Sequence, residues 1–302
     1  MNHTFFLEQQ NMPLGALYVV GTPIGNLGDI TYRAVHVLNA VDGIACEDTR
    51  HTANLLNAIG IHKPLIAIHE HNEVEASQLL INHLKNGERW AYVCDAGTPG
   101  ISDPGARLSK EVRLAGLQLI PIPGVSALTS LISVAGQLTQ HPSQGFQFFG
   151  FLPIKGKERV TCFSQMNHSA IATVFYESPQ RILNTLNDLF KLIDDQQRIL
   201  VIGREMTKKF ETISSLQIQE IPHFIASNLE ERGEFCLILG GINQQTAAQN
   251  AADKDVLVNV ELLASAMTAH LGSKQIAEIF AKSELLSKNA AYELALKLKK
   301  PA

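Results

Sequence analysis

"AYVCDAGTPGISDPG", residues 91–105, begins as a buried strand and breaks off at Asp95. Three glycines and two prolines follow before a helical pattern resumes. In an open α/β sheet, ligands lie beyond the carboxyl ends of the strands, and such an end is what this stretch describes. It is not a P-loop, which needs G-x-x-x-x-G-K-[ST], nor the G-x-G-x-x-G of a dinucleotide site. Pro99 and Pro104 carry no N–H, so the loop is a poor phosphate cradle. Its glycines permit unusual φ and close backbone approach, while its prolines fix the path. That combination suits a flat or uncharged ligand gripped by carbonyls, the remaining N–H groups and shape. Alone, the loop also reads as a tight structural turn.

Working outward, short apolar runs alternate with helical periodicity. "ALYVV" precedes "ITYRAVHVLNAV", "GIAC" precedes "TRHTANLLNAIG", and "PLIAIH" precedes "EVEASQLLINHLKNG". "WAYVC" precedes "GARLSKEVRLAG", and "LQLIPI" precedes "GVSALTSLISVAG". Repeated strand-then-helix units predict an α/β fold with a mostly parallel, doubly wound sheet over 16–136. Gly60, Gly87, Gly116 and Gly136 stand where helices should stop. A break at "QLTQHPSQG" opens a second lobe, 137–242, whose strands "FQFFGF", "ATVFYE", "RILVIGRE" and "EFCLILGG" predict a mixed, partly antiparallel α/β sheet. Residues 1–15 read as a flexible tail and 243–256 as a linker poor in large apolar residues. Residues 257–302 read as a small helical, helix-turn-helix-like module, its first helix ended by Gly272 and Ser273 and Ser287 acting as N-caps.

Composition narrows the class. With 302 residues and 45% hydrophobic content, the chain can bury more than one core. No apolar run reaches membrane-spanning length, and the start lacks a signal-peptide pattern, so a cytoplasmic protein is expected. Four cysteines without a C-x-x-C pair predict buried, reduced thiols. Net charge is −4, so no global basic field advertises nucleic acid. The charge is uneven, because six lysines against four glutamates make 257–302 positive.

Three further strand ends repeat the opening theme: "GTPIGN" (21–26), "PIPGVSA" (121–127) and "YESPQR" (176–181). If they converge, they line one crevice between the lobes. Charged groups cluster at the same ends. "CEDTRHT" supplies Glu47, Asp48, Arg50 and His51, and "IHEHNE" supplies His69, Glu70, His71 and Glu73. "GREMTKKFET" supplies Arg204, Glu205, Lys208 and Lys209. His69 and His71 share a face at period two, but a surface or substrate-facing role is favoured over a metal pair, and no metal is expected.

In this order, "LYVVGTPIGNLGDIT", "ACEDTRHT", "HEHNE", "DAGTPGISDPG", "PIPGVSA", "FYESPQR", "REMTK" and "GEFCLIL" closely resemble the small-subunit ribosomal RNA methyltransferases of the tetrapyrrole methylase superfamily, over residues 16–241. The resemblance implies S-adenosylmethionine as methyl donor, held between two α/β lobes of a homodimer. It implies 2'-O-methylation of a cytidine in 16S rRNA of the small ribosomal subunit, near the decoding centre. By position it places Pro23, Thr98, Ile101, Ser126, Ala127, Tyr176, Met206 and Glu234 at the donor. The "GDP" of the corrin-forming relatives is "GTP" here, which puts Thr98 in place of a carboxylate and weakens a tetrapyrrole substrate.

A ribose hydroxyl attacks once its proton begins to leave, so a positioned base is expected. Glu47, Asp48, Glu177 and Glu205 are candidates, with Lys208 if its pKa is depressed. Arg50, Arg204 and, alternatively to its role as base, Lys208 are expected to hold phosphates, with Lys155, Lys157 and Arg159 as a further basic cluster and His71 facing substrate. Two rivals stay open: a precorrin-type tetrapyrrole C-methyltransferase, and a ribosome-binding factor without activity.

Overall fold

The computed structural model describes residues 10–69, 72–102, 105–139, 145–227, 229–242, 260, 263–268, 270–283 and 286–299. Two compact units emerge, one of residues up to Asn167 together with Ile171–Gly241, the other of His168–Ala170 and Ile242–Ala302.

The first unit opens with five strands, β1 (Ala16–Val20), β2 (Gly43–Cys46), β3 (Leu65–Ala67), β4 (Trp90–Val93) and β5 (Gln118–Ile122). They pair in the order β3-β2-β4-β1-β5, every pair parallel. Helices α1 (Tyr32–Ala40), α2 (Thr49–Ala58), α3 (Glu73–Lys85), α4 (Ala106–Leu114) and α5 (Ala127–Val134) follow in turn. Period-two alternation sends Ala16, Tyr18 and Val20 to one face, with Val37 and Leu38 of α1 and Leu56 of α2. Leu17 faces the other side, with Leu80 and Leu84 of α3 and Leu108 and Val112 of α4. The chain therefore winds over both faces, as the sequence predicts. Gly60, Gly87, Gly116 and Gly136 all have positive φ just past helix ends, where left-handed backbone releases the last carbonyls. Because β1 leads one way to β2 while β4 leads the other way to β5, a crevice opens at the shared β1–β4 edge.

A second sheet in the same unit comprises β6 (Phe146–Phe151), β7 (Ala172–Glu177), β8 (Ile199–Arg204), β9 (Thr212–Gln217) and β10 (Phe235–Leu239), ordered β6-β7-β10-β8-β9. Only β6 and β7 run parallel, which makes the expected mixed sheet. Helices α6 (Gly156–Asn167), α7 (Ile182–Leu192) and α8 (Ile221–Ser227) cover one face through Phe163, Met166, Leu186, Leu189 and Ile221. The other face receives α5 of the preceding lobe: Leu128 and Leu131 pack with Val174, Val201, Met206, Cys236 and Ile238. This shared core makes the two lobes one unit.

Sequence periodicity passed over β9 and α8. β9, "TISSLQ", is an edge strand that buries only Leu216, so its apolar signal is faint. α8 is a helix of seven residues that buries only Ile221.

Of the segment read as a tail, residues 1–9 lie outside the described residues, but 10–15 are held. Met12 packs on the first core and its carbonyl accepts from Arg89 Nε at 2.8 Å, while the Tyr18 hydroxyl donates to the Pro13 carbonyl at 3.1 Å. The linker 243–256 lies outside the described residues. In the C-terminal unit, residues 263–268 and the helices Ser273–Lys282 and Lys288–Lys299 are helical, around a small core of Ala264, Ile276, Phe280 and Ala291. Ser287 Oγ caps the last helix by accepting the Ala290 N–H. Gly272, not Ser273, takes the cap position before the preceding helix, its N–H donated to Gln275 Oε1 at 2.9 Å. Among the described residues no helix is long and apolar enough to cross a membrane.

The cysteines are free, with Cys46, Cys94 and Cys236 buried. Burial pushes the Cys236 thiol up to about 12, so it stays protonated and inert.

Candidate functional site

Three loops meet at the carboxyl edge of the first sheet. The β1 and β4 loops bridge reciprocally, Thr22 N–H to Gly97 O at 2.8 Å and Gly97 N–H to Thr22 O at 3.0 Å. The Thr98 hydroxyl donates to the Val125 carbonyl at 2.9 Å and ties in the β5 loop. Gly97, Gly100 and Gly105 have φ of +83, +87 and +120°, so all three glycines of the opening stretch occupy backbone that side chains disfavour. At the β1 and β5 loops the constraint is contact: a Cβ on Gly21 would lie 2.8 Å from Gly124 Cα. Gly21→Ala is therefore expected to cost about 1–3 kcal/mol by overpacking, measured by urea unfolding, and to weaken ligand binding in the crevice.

The second lobe closes the crevice. The Tyr176 hydroxyl accepts the Leu128 N–H at the start of α5, at 3.3 Å. The "REMTK" turn is bent through Glu205 and Thr207, with φ of +50 and +68°. Such backbone persists only where its surroundings hold it. Here Glu205 Oε1 accepts the Glu234 N–H and Lys208 Nζ, both at 3.0 Å, and Lys208 also donates to Glu234 at 2.8 Å. Lys208 lies against Gly25 of "GTPIGN", where a Cβ would collide with its side chain.

These loops enclose a cleft of about 450 Å³. Thr98, Ile101, Ser126, Ala127, Tyr176, Met206 and Glu234 line it, whereas Pro23 does not and its neighbour Ile24 does. Of the proposed proton acceptors, Glu47 and Glu177 line it, from the ends of β2 and β7. Asp95, at the end of β4 beside β2, also lines it and was passed over as a site residue. Its signal was positional, an acid directly after a buried strand. Its Oδ1 accepts the Asp48 N–H at 3.3 Å, which braces the segment carrying Glu47. Phe151 also lines the cleft, 52% exposed and edge-on to Tyr176.

Glu177 is fully buried, and its oxygens meet four donors. Arg181 Nε and the Ser178 N–H reach Oε1 at 3.0 and 2.8 Å, while the Thr185 hydroxyl and Arg181 Nη2 reach Oε2 at 2.7 and 3.2 Å. A carboxylate has about four lone-pair sites, so this one is saturated.

Asp48 does not line the cleft; it caps α2 by accepting the Arg50 N–H, and Arg50 Nη2 pairs with it at 2.7 Å. The Arg50 side chain's hydrogen bond, with that N–H, holds the Asp48 carboxyl well below the usual carboxylate range. Arg50 itself is 89% exposed. Burial acts to lower Lys208, but its bonds to Glu234 and Glu205 outweigh that and raise it, so the depressed pKa required of a lysine base is not found. For Glu205, burial is likewise outweighed, by the Glu234 N–H and Lys208, and its carboxyl is lowered. Arg204 donates to the carbonyls of Arg232 and Phe210. Lys157 is exposed on α6, Lys155 and Arg159 line a separate groove along α7, and His71 lies outside the described residues.

The lining contains four carboxylates and, among the described residues, no lysine or arginine. That balance opposes a polyphosphate and fits a cationic ligand with a flat body. Ile24, Ile101, Ala127 and Met206 offer apolar walls for the body, and Glu234 and Asp95 offer charge for cationic groups. No cluster of His, Cys, Asp and Glu able to hold a metal occurs among the described residues.

Comparison with known proteins agrees with this geometry. Residues 16–222 match the family model described as tetrapyrrole (corrin/porphyrin) methylases. The chain is 39% identical over 292 residues, 96% of its length and 98% of the relative's, to ribosomal RNA small subunit methyltransferase I of Vibrio cholerae serotype O1. It is 41% identical over 286 residues, 94% of each chain, to the protein of the same name from Neisseria meningitidis serogroup B. Among solved structures, uroporphyrin-III C-methyltransferase from Thermus thermophilus complexed with S-adenosylhomocysteine superposes with a TM-score of 0.53 at 17% identity, covering 74% of this chain and 97% of that one. With a crevice built from the motif loops and likeness along nearly its whole length, the chain belongs to the tetrapyrrole methylase family, in the group of the ribosomal RNA small subunit methyltransferases I.

Proposed function

We propose that this chain methylates the 2'-hydroxyl of a cytidine in 16S rRNA of the small ribosomal subunit, near the decoding centre, acting as a cytoplasmic homodimer. The observation that carries the reading is the acid-lined cleft, with no lysine or arginine in its lining among the described residues, in a chain that matches rRNA methyltransferases over nearly its full length. S-adenosylmethionine is the cofactor, and when bound it supplies a methyl group on a positively charged sulfur. Thr98, Ile101, Ser126, Ala127, Tyr176 and Met206 would hold it, with Glu234 toward its cationic end.

The division of labour follows from where each carboxylate sits and what the others are seen to hold. Glu177, saturated by Arg181, Thr185 and Ser178, positions the β7 loop. Glu205 and Lys208 hold the "REMTK" turn and aim Glu234. Asp48 starts α2. Glu47, which lines the cleft at the end of β2, is the carboxylate assigned to the ribose proton, taking it from the 2'-oxygen as that oxygen attacks, with Asp95 bracing its segment. Enclosure by the two lobes excludes water and aligns the reacting atoms, which supplies much of the acceleration.

The test offers labelled methyl donor and purified protein to unmethylated small subunits, free 16S rRNA and a tetrapyrrole precursor. Label is expected in a 2'-O-methylcytidine of 16S rRNA. Label in the tetrapyrrole, or binding to subunits with no transfer, would replace this reading with one of its two rivals. Light scattering is expected to give twice the chain mass.

A further inference from the structure

We propose that a basic groove along α7, beside the cleft, is the track on which the phosphate backbone of the RNA lies as it leaves the cleft. The inference rests on the RNA reading above and assigns it a surface. The groove has a volume of about 580 Å³ and is bordered by Lys155, Arg159, Arg181 and Lys191, with Asn184 and Asn187 between them. The one acid lining it among the described residues, Asp188, is already neutralised, its Oδ2 accepting Arg159 Nη2 at 2.7 Å and Nε at 2.9 Å. Arg181 is paired with Glu177. The remaining lysines, Lys155 and Lys191, are exposed and unbalanced within the groove, so its net charge is positive although the protein is −4 overall.

Two connections join this groove to the cleft. Arg181 lines the groove while its ion-pair partner, the buried Glu177, lines the cleft, so one pair forms the wall between them. The segment Phe151–Lys155 does the same along the chain: Phe151 lines the cleft, and Ile154 and Lys155 line the groove. Arg181 Nη2 also donates to the Leu152 carbonyl, which fixes that segment to the wall. A nucleotide whose ribose enters the cleft must carry its neighbouring phosphates outward. Among the described residues the cleft lining holds no lysine or arginine to receive them, and the groove shares a wall with the cleft. Lysines on a flexible stem suit phosphates as point charges, without demanding a base sequence.

The experiment compares the full-length protein with Lys155→Glu/Lys191→Glu, both exposed positions outside the catalytic and donor-binding sets. Binding to unmethylated small subunits is measured across a salt series, with methyl-transfer kinetics and donor affinity alongside. The double variant is expected to bind subunits at least about tenfold more weakly, and to lower the slope of log K against log salt by about one to two. KM for the subunit should rise while donor affinity and kcat at saturation hold, and Lys155→Arg/Lys191→Arg should restore binding. If the parent protein binds and methylates subunits while the double variant matches it in affinity and salt slope, the groove is not the track and the RNA reading stands. If the parent neither binds subunits nor methylates their RNA, both are overturned.

Discussion

Replacing Glu47 with glutamine lowers turnover on rRNA by about 10²–10⁴ while leaving donor affinity within a few-fold. The size follows from what the amide loses: it keeps the shape but cannot take the ribose proton. The direction follows from position. Glu177 has a donor on every acceptor site, Asp48 is committed to α2 and Arg50, and Glu205 is committed to Lys208 and Glu234. Glu47 lines the cleft at the end of a central strand. Single-turnover kinetics with pre-bound donor separate chemistry from binding. Full turnover by the glutamine variant would remove Glu47 from the proton transfer and leave Asp95, tested as asparagine, as the remaining acid at that edge.

Glu177→Ala is expected to act on folding instead, by about 3–5 kcal/mol, because it strands the Arg181 guanidinium beside a buried, emptied site. The carboxylate is fully buried, and the Thr185 hydroxyl that donates to it also accepts from Arg159. One deletion therefore loosens β7, α6 and α7 together. Urea unfolding of the parent and the variant measures the loss, and Glu177→Ala/Arg181→Met should recover part of it by removing the unpaired charge. A Glu177→Ala protein as stable as the parent but without turnover would return Glu177 to the chemistry. The two variants thus have opposite signatures, one catalytic at intact stability and one a loss of stability.

Much of the architecture was legible because it rests on local patterns. The alternation of apolar runs with helical periodicity declared the parallel sheet, and glycines after periodic residues marked four helix ends. The motif loops were legible too, since backbone with positive φ at Gly97, Gly100 and Gly105 selects glycine at each position. β9 was not, because an edge strand that buries one side chain carries almost no apolar rhythm. Ser273 looked like a cap because its chemistry suits one, but the helix begins a residue earlier and Gln275 holds the Gly272 N–H instead.

Sequence alone determined which strand ends gather glycine, proline and acids, since these are properties of residue type and local order. Only the tertiary structure decided which of the acids line the cleft and which hold neighbouring segments in place. Glu47, Asp48, Glu177 and Glu205 are alike as residues. They are sorted by partners distant in sequence or on neighbouring turns, such as Thr185 for Glu177 and the Glu234 N–H for Glu205. Where a carboxylate points and what it holds depend on contacts between segments far apart in the chain, and those are set by packing.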